Sequence, residues 1–99
     1  MPVARRPPLP VPLPLEARAV RRGRAIVVTW RTAFPARRVN FDVTRSRDLN
    51  APRSVQGRGR TRFKLTLRPS RPGTVRRIVI EATDYEGEHS RKVTVPVTR

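Results

Sequence analysis

The run Thr74–Thr98, TVRRIVIEATDYEGEHSRKVTVPVT, reads as two β-strands folded back on one another. Ile78, Ile80 and Ala82 alternate with Arg77, Val79 and Glu81, and Val93, Val95 and Val97 alternate with Lys92, Thr94 and Pro96. Successive side chains of an extended chain point to opposite faces, so each strand has one apolar side. Asp84-Tyr85-Glu86-Gly87-Glu88 supplies the turn, with Gly87 free to take a positive φ. A lone hairpin is marginal in water, so the rest of the chain must supply a second layer.

The same alternation recurs upstream. Leu15, Ala17 and Ala19 alternate with Glu16 and Arg18, and Arg21-Arg22-Gly23-Arg24 turns the chain into Ile26, Val28 and Trp30. The loop TAFPAR around Pro35 ends that strand, and Val39, Phe41 and Val43 form the next, with Asn40, Asp42 and Thr44 on its other side. Residues 45–60 are polar and carry Pro52, Gly57 and Gly59, which predicts a loop with one short edge strand near Arg53–Gln56. Phe63, Leu65 and Leu67 define a further strand, opposed by Arg62, Lys64, Thr66 and Arg68. About seven short strands without a helical period predict an all-β, antiparallel sandwich over residues 15–99.

Residues 1–14 form a proline-rich arm that cannot be helical, and polyproline II is its default conformation. Pro7 and Pro10 match PxxP without a basic residue at the spacing an SH3-type groove needs, so a tether is the expectation. The spacing of Pro8, Pro10, Pro12 and Pro14 also allows an extended strand with donors on one edge only. Such a strand closes a sheet and blunts its edge.

A formal charge of +16 in 99 residues predicts attraction to polyanions. Arginine supplies all the basic residues but Lys64 and Lys92, and a GC-rich coding bias that fills exposed positions with Arg is the competing explanation. Strand alternation puts Arg62, Lys64 and Arg68 on one face, with Arg58 and Arg60 leading in. Cations two residues apart lie about 6.6 Å apart, a line able to track a charged polymer. Trp30, Phe41 and Phe63 sit at core parity, leaving Phe34 and Tyr85 to stack on a base, and no recognition helix is expected. Binding of this kind is electrostatic and salt-sensitive.

Other chemistry has little support. The absence of Cys removes disulfides and thiolate sites, and His89 is the only histidine, read as a solvated loop residue. Glu81, Asp84, Glu86 and Glu88 cluster at the hairpin turn without a calcium-loop spacing, and a charged turn pairing with nearby Arg is the expectation. Gly57-Arg58-Gly59-Arg60 lacks the strand-to-helix context of a phosphate loop. Neither an enzyme, a cofactor nor a bound metal is expected. No apolar run approaches the roughly 20 residues of a membrane span, and no signal-peptide core follows Met1–Arg6.

Several motifs resemble fibronectin type III and bacterial immunoglobulin-like modules. Val28-x-Trp30 with Pro35 after it, Phe41-x-Val43, Leu67, Pro72-Gly73-Thr74 and Ile78-x-Ile80-x-Ala82 are similar to the fibronectin pattern. Ala82-Thr83-Asp84-Tyr85-Glu86-Gly87 is similar to the ending of bacterial surface repeats. The chain departs from the fibronectin pattern at Arg76, where those modules place a corner tyrosine. The resemblance covers residues 15–98 and implies a non-catalytic spacer or interaction module, extracellular or at the cell surface, whose partner is a protein or an anionic polymer such as wall polysaccharide. The alternative is a small basic nucleic-acid-binding protein acting through Arg58, Arg60, Arg62, Lys64 and Arg68.

Overall fold

Trp30, Phe41 and Phe63 meet at the centre of the core. The indole stacks on Phe63 at 5.4 Å between ring centroids and lies tilted against Phe41 at 5.5 Å, while the two phenyl rings are 4.6 Å apart. Such tilted and offset contacts add to the stabilisation from burial alone. The computed structural model describes residues 11–45 and 53–99. Seven strands surround the trio: β1 (Leu15–Arg22), β2 (Ala25–Ala36), β3 (Val39–Arg45), β4 (Arg53–Gln56), β5 (Arg60–Leu67), β6 (Arg77–Asp84) and β7 (Ser90–Thr98). The one helical element among the described residues is a 3-10 turn at Pro72–Thr74.

The strands hydrogen-bond in the order β4-β3-β6-β7-β1-β2-β5. The half β1-β2-β5 and the half β4-β3-β6-β7 fold over the shared apolar cluster, so the sheet is nearly closed on itself. The expectation of a purely antiparallel arrangement is corrected here: β1 pairs β7 in parallel, through Ala19 with Val97 and Val20 with Thr98. The other five pairings are antiparallel and fix strand direction within each half, β1-β2-β5 and β4-β3-β6-β7. The β1–β7 pairing joins the halves, so that β1, β3, β5 and β7 run one way and β2, β4 and β6 the other.

The alternating apolar positions build the core. Ile26, Val28, Phe41, Val39, Val43, Ile78, Ile80 and Ala82 are all at most 1 % exposed, and Trp30 is 3 % exposed. The weak strand at Arg53–Gln56 is β4, paired to β3 from Asn40 opposite Gln56 to Val43 opposite Arg53. The hairpin turns fall at Gly23 and Gly87, with φ of 61° and 72°. Trp30 Nε1 is buried without a hydrogen-bond partner, a polar cost the core bears for the indole's packing.

Two local readings are corrected. β2 does not end before TAFPAR but continues to Ala36, through an irregular pairing with β5 between Arg31 and Ala36. Thr32, buried there, donates its hydroxyl to the Phe34 carbonyl at 2.7 Å, which satisfies the group inside the irregularity. Leu15 is not inward: it lies opposite Arg31 on the outer face, because a bulge between Leu15 and Arg18 shifts the register of β1. Of the arm, residues 1–10, including Pro7, Pro8 and Pro10, lie outside the described residues. Val11, Pro12 and Pro14 are buried, Val11 within the core cluster, and residues 11–14 are not strand.

The β4–β5 turn fixes the open end of the sheet. Gly57 N donates to Val39 O at 2.9 Å and Gly59 N to Ala36 O at 2.8 Å, tying the turn to the β2–β3 junction. A Cβ on Gly57 would come within 2.8 Å of the Ala36 Cβ and closer still to the Ala36 carbonyl. Backbone stands in the way, so it cannot be relieved by a rotamer change. Gly57→Ala is therefore expected to cost about 1–3 kcal/mol, read as a lower denaturant midpoint. Gly73→Ala, where nothing lies within 4 Å, should stay within about 0.5 kcal/mol of the unmodified chain. Equal midpoints for the two variants would refute this account of the turn.

Candidate functional site

The outer face of β1, β2 and β5 gathers cations from three strands. Register sets Arg31 opposite Arg62, Thr29 opposite Lys64 and Val27 opposite Thr66 on the β2–β5 side. On the β1 side it sets Leu15 opposite Arg31, Arg18 opposite Thr29, Val20 opposite Val27 and Arg22 opposite Ala25. Arg68 continues the outward parity of β5 just past the strand end and is exposed. Arg18, Arg22, Arg31, Arg62, Lys64 and Arg68 thus share one face, in rows about 6.6 Å apart on strands about 4.8 Å apart. The patch measures about 20 Å by 10 Å on those spacings.

Of the five cations expected to form a line, Arg62, Lys64 and Arg68 point outward and form no ion pair among the described residues. The other two, Arg58 in the β4–β5 turn and Arg60 at the start of β5, hydrogen-bond to that turn. Arg60 donates Nη2 to the Gln56 carbonyl at 2.8 Å and Nε to the Gly57 carbonyl at 3.3 Å, with its guanidinium 5.3 Å from the Phe63 ring centroid. Arg58 sits at φ 52° and donates Nε to Gln56 Oε1 at 3.3 Å. The sheet order also brings Arg18, Arg22 and Arg31 onto the face. Their outward parity is legible along the chain, but their adjacency to β5 is not, because it depends on which strands pair.

One carboxylate stands among these cations. Glu16 Oε2 accepts from Arg31 Nε at 2.9 Å. Glu16 occupies the bulge of β1 with φ 48°, a left-handed conformation that costs a non-glycine residue of the order of 1 kcal/mol. The hydrogen bond and charge of Arg31 hold the Glu16 carboxyl below its usual value, helped by the charges of Arg18 and Arg62. Glu16 raises the Arg31 guanidinium in return.

The outer face of the other half is different in kind. Its outward positions carry Asp42 and Glu81 against Arg77 and Lys92, with Glu81 directly opposite Lys92 and Ser54 donating to Asp42 Oδ1 at 2.6 Å. Two charges of each sign leave that face balanced. At the β6–β7 turn, Asp84 Oδ1 accepts from the Glu88 backbone N–H at 2.9 Å, and Glu86 pairs with Arg38 at 3.2 Å. The Arg38 guanidinium also lies 5.8 Å from the Tyr85 ring centroid. His89 is exposed in this turn. Among the described residues, no three His, Cys, Asp or Glu side chains come together as a metal-binding group, and no helix is long and apolar enough to cross a membrane.

No family model, no curated protein and no solved structure matches this chain.

The lowered Glu16 carboxyl gives a titration with a definite sign. Its folded pKa lies below its unfolded one, so the stabilisation it contributes is present above the unfolded value and disappears as pH falls through the folded value. A side-chain carboxyl NMR titration should place the Glu16 midpoint below about 4.3, and Arg31→Gln should return it toward that value. A midpoint unchanged by Arg31→Gln would show that the pair is absent in solution.

Proposed function

We propose that the protein is a non-catalytic interaction or spacer module of the Ig-like or fibronectin type III-like kind, part of a surface or secreted assembly, that works through sheet faces. The observation that carries this reading is the strand grouping. The half β1-β2-β5 faces the half β4-β3-β6-β7 around a buried tryptophan on β2, with β4 extending the β3-β6-β7 half. That grouping accords with an Ig-like sandwich whose fourth strand pairs the third. Fold analogy suggests a docking or spacing role and leaves the partner to the surface.

A module needs to fold as one unit. Trp30, the only tryptophan, reports on the junction of the two halves, and far-UV circular dichroism reports on all the strands. Coincident denaturant midpoints from the two signals are expected for a single cooperative unit. Separate transitions would sink the module reading.

A second reading, a polyanion-binding protein, is favoured by the uneven distribution of charge. Coding bias alone would fill both outer faces with arginine, yet β1-β2-β5 carries six cations and one carboxylate while the opposite face carries two of each sign. A chain neutralising about four phosphates should lose about two orders of magnitude in affinity between 50 and 200 mM salt. Retention on duplex DNA and on heparin beyond about physiological salt is the expected result. Elution from both below that point would leave the docking or spacing role alone.

A further inference from the structure

The β1 bulge places a left-handed, non-glycine residue at the Arg31–Arg62 end of a cationic face, and the side chain it positions is the only acid there. As a fastener the resulting ion pair is poor, since Arg31 and Glu16 side chains are 42 % and 68 % exposed and solvent screens them. Its position is more informative. Arg31 and Arg62 stand directly opposite one another across β2 and β5, a like-charge pair that destabilises a sheet unless an anion lies between or beside them. Glu16 supplies that anion, and the Arg18 and Arg62 charges act on it as well as Arg31.

We propose that the outer face of β1, β2 and β5 binds the phosphodiester backbone of a nucleic-acid duplex, and that Glu16 is an internal stand-in for phosphate, displaced from Arg31 when the backbone arrives. This deepens the second reading above and rests on it. The planar guanidinium offers two parallel N–H groups to a phosphate's oxygens, which fits a face built from five arginines and one lysine. The outward positions between the cations are Leu15, Val20, Ala25, Val27, Thr29 and Thr66. None is aromatic, so the face has no platform on which the bases of a single strand could stack. Phe34 and Tyr85, the exposed large hydrophobics, lie outside these rows. A duplex presents its phosphates without asking for stacking, and the geometry points to it.

Displacement of Glu16 separates this idea from simple charge attraction. Glu16→Gln and Glu81→Gln change the net charge equally, one on the cationic face and one on the balanced face. Glu16→Gln should tighten binding to a short mixed-sequence DNA duplex about five- to tenfold and steepen the salt slope by about one phosphate equivalent. Glu81→Gln should change affinity less than twofold. In the unmodified chain, the Arg31 Nε–Hε NMR signal should shift as the duplex is titrated in. That readout stands even if the Glu16 variant does not fold.

Equal effects of the two variants, or an Arg31 signal that ignores the duplex, would overturn the displacement while leaving the polyanion reading intact. Failure of the unmodified chain to bind any polyanion above about physiological salt would remove the parent reading, and the displacement with it. Tighter binding to heparin, to single-stranded DNA or to vesicles of anionic phosphatidylserine than to the duplex would overturn the choice of ligand.

Discussion

The two antiparallel halves become one sheet at a single place, where the first strand pairs with the last in parallel. At this β1–β7 seam Ala19 pairs with Val97 and the Thr98 hydroxyl donates to the Ala19 carbonyl at 3.4 Å. β1 therefore serves both halves, paired antiparallel to β2 along its length and parallel to β7 near its end. At Ala19 and Val20, where β1 pairs on both sides, it has no free edge to offer another chain. Register pairs Trp30 with Phe63 across β2 and β5, and Phe41 on β3 meets both from the facing half. Unpairing β1 would expose Ala19 and open the core at once.

What could be read along the chain was whatever alternation with period two can encode. It identified the inward residues of β2, β3, β5 and β6 and the short strand at Arg53–Gln56, because a strand with one buried face must repeat every second residue. It failed where the period breaks. The bulge at Glu16 turns Leu15 outward, and no residue type announces it, since a left-handed position usually selects glycine. The extension of β2 through Phe34 and Pro35 was hidden for the opposite reason: proline and polar flanks read as a loop, while an irregular stretch of pairing can absorb both. The parallel seam was invisible because pairing between the ends of a chain leaves no local pattern.

The cationic face shows the same division between local and distant information. Outward parity on β5 was enough to place Arg62, Lys64 and Arg68 together. Arg58 and Arg60 share the composition of that line, but the Gln56 and Gly57 carbonyls orient the Arg60 guanidinium toward the turn. The rest of the patch comes from β1 and β2, whose cations join it only once β2 is known to lie between β1 and β5. Composition alone therefore sees neither that Arg58 and Arg60 hydrogen-bond within the β4–β5 turn nor that the sheet order brings Arg18, Arg22 and Arg31 beside β5.

Concentrating six cations on one sheet face has a thermodynamic consequence. Like charges on adjacent strands repel, so the face destabilises the native state until anions gather on it. Within the face, the one carboxylate that relieves this repulsion is Glu16, paired with Arg31 at 2.9 Å, and under the displacement proposed above a polyanion would compete with it for that position. Any ligand that screens this face must also stabilise the fold by mass action, in proportion to its excess over the dissociation constant. On the proposed binding, stability and affinity would be two readings of one electrostatic term, with the bulge that holds Glu16 beside Arg31 dividing it between fold and partner.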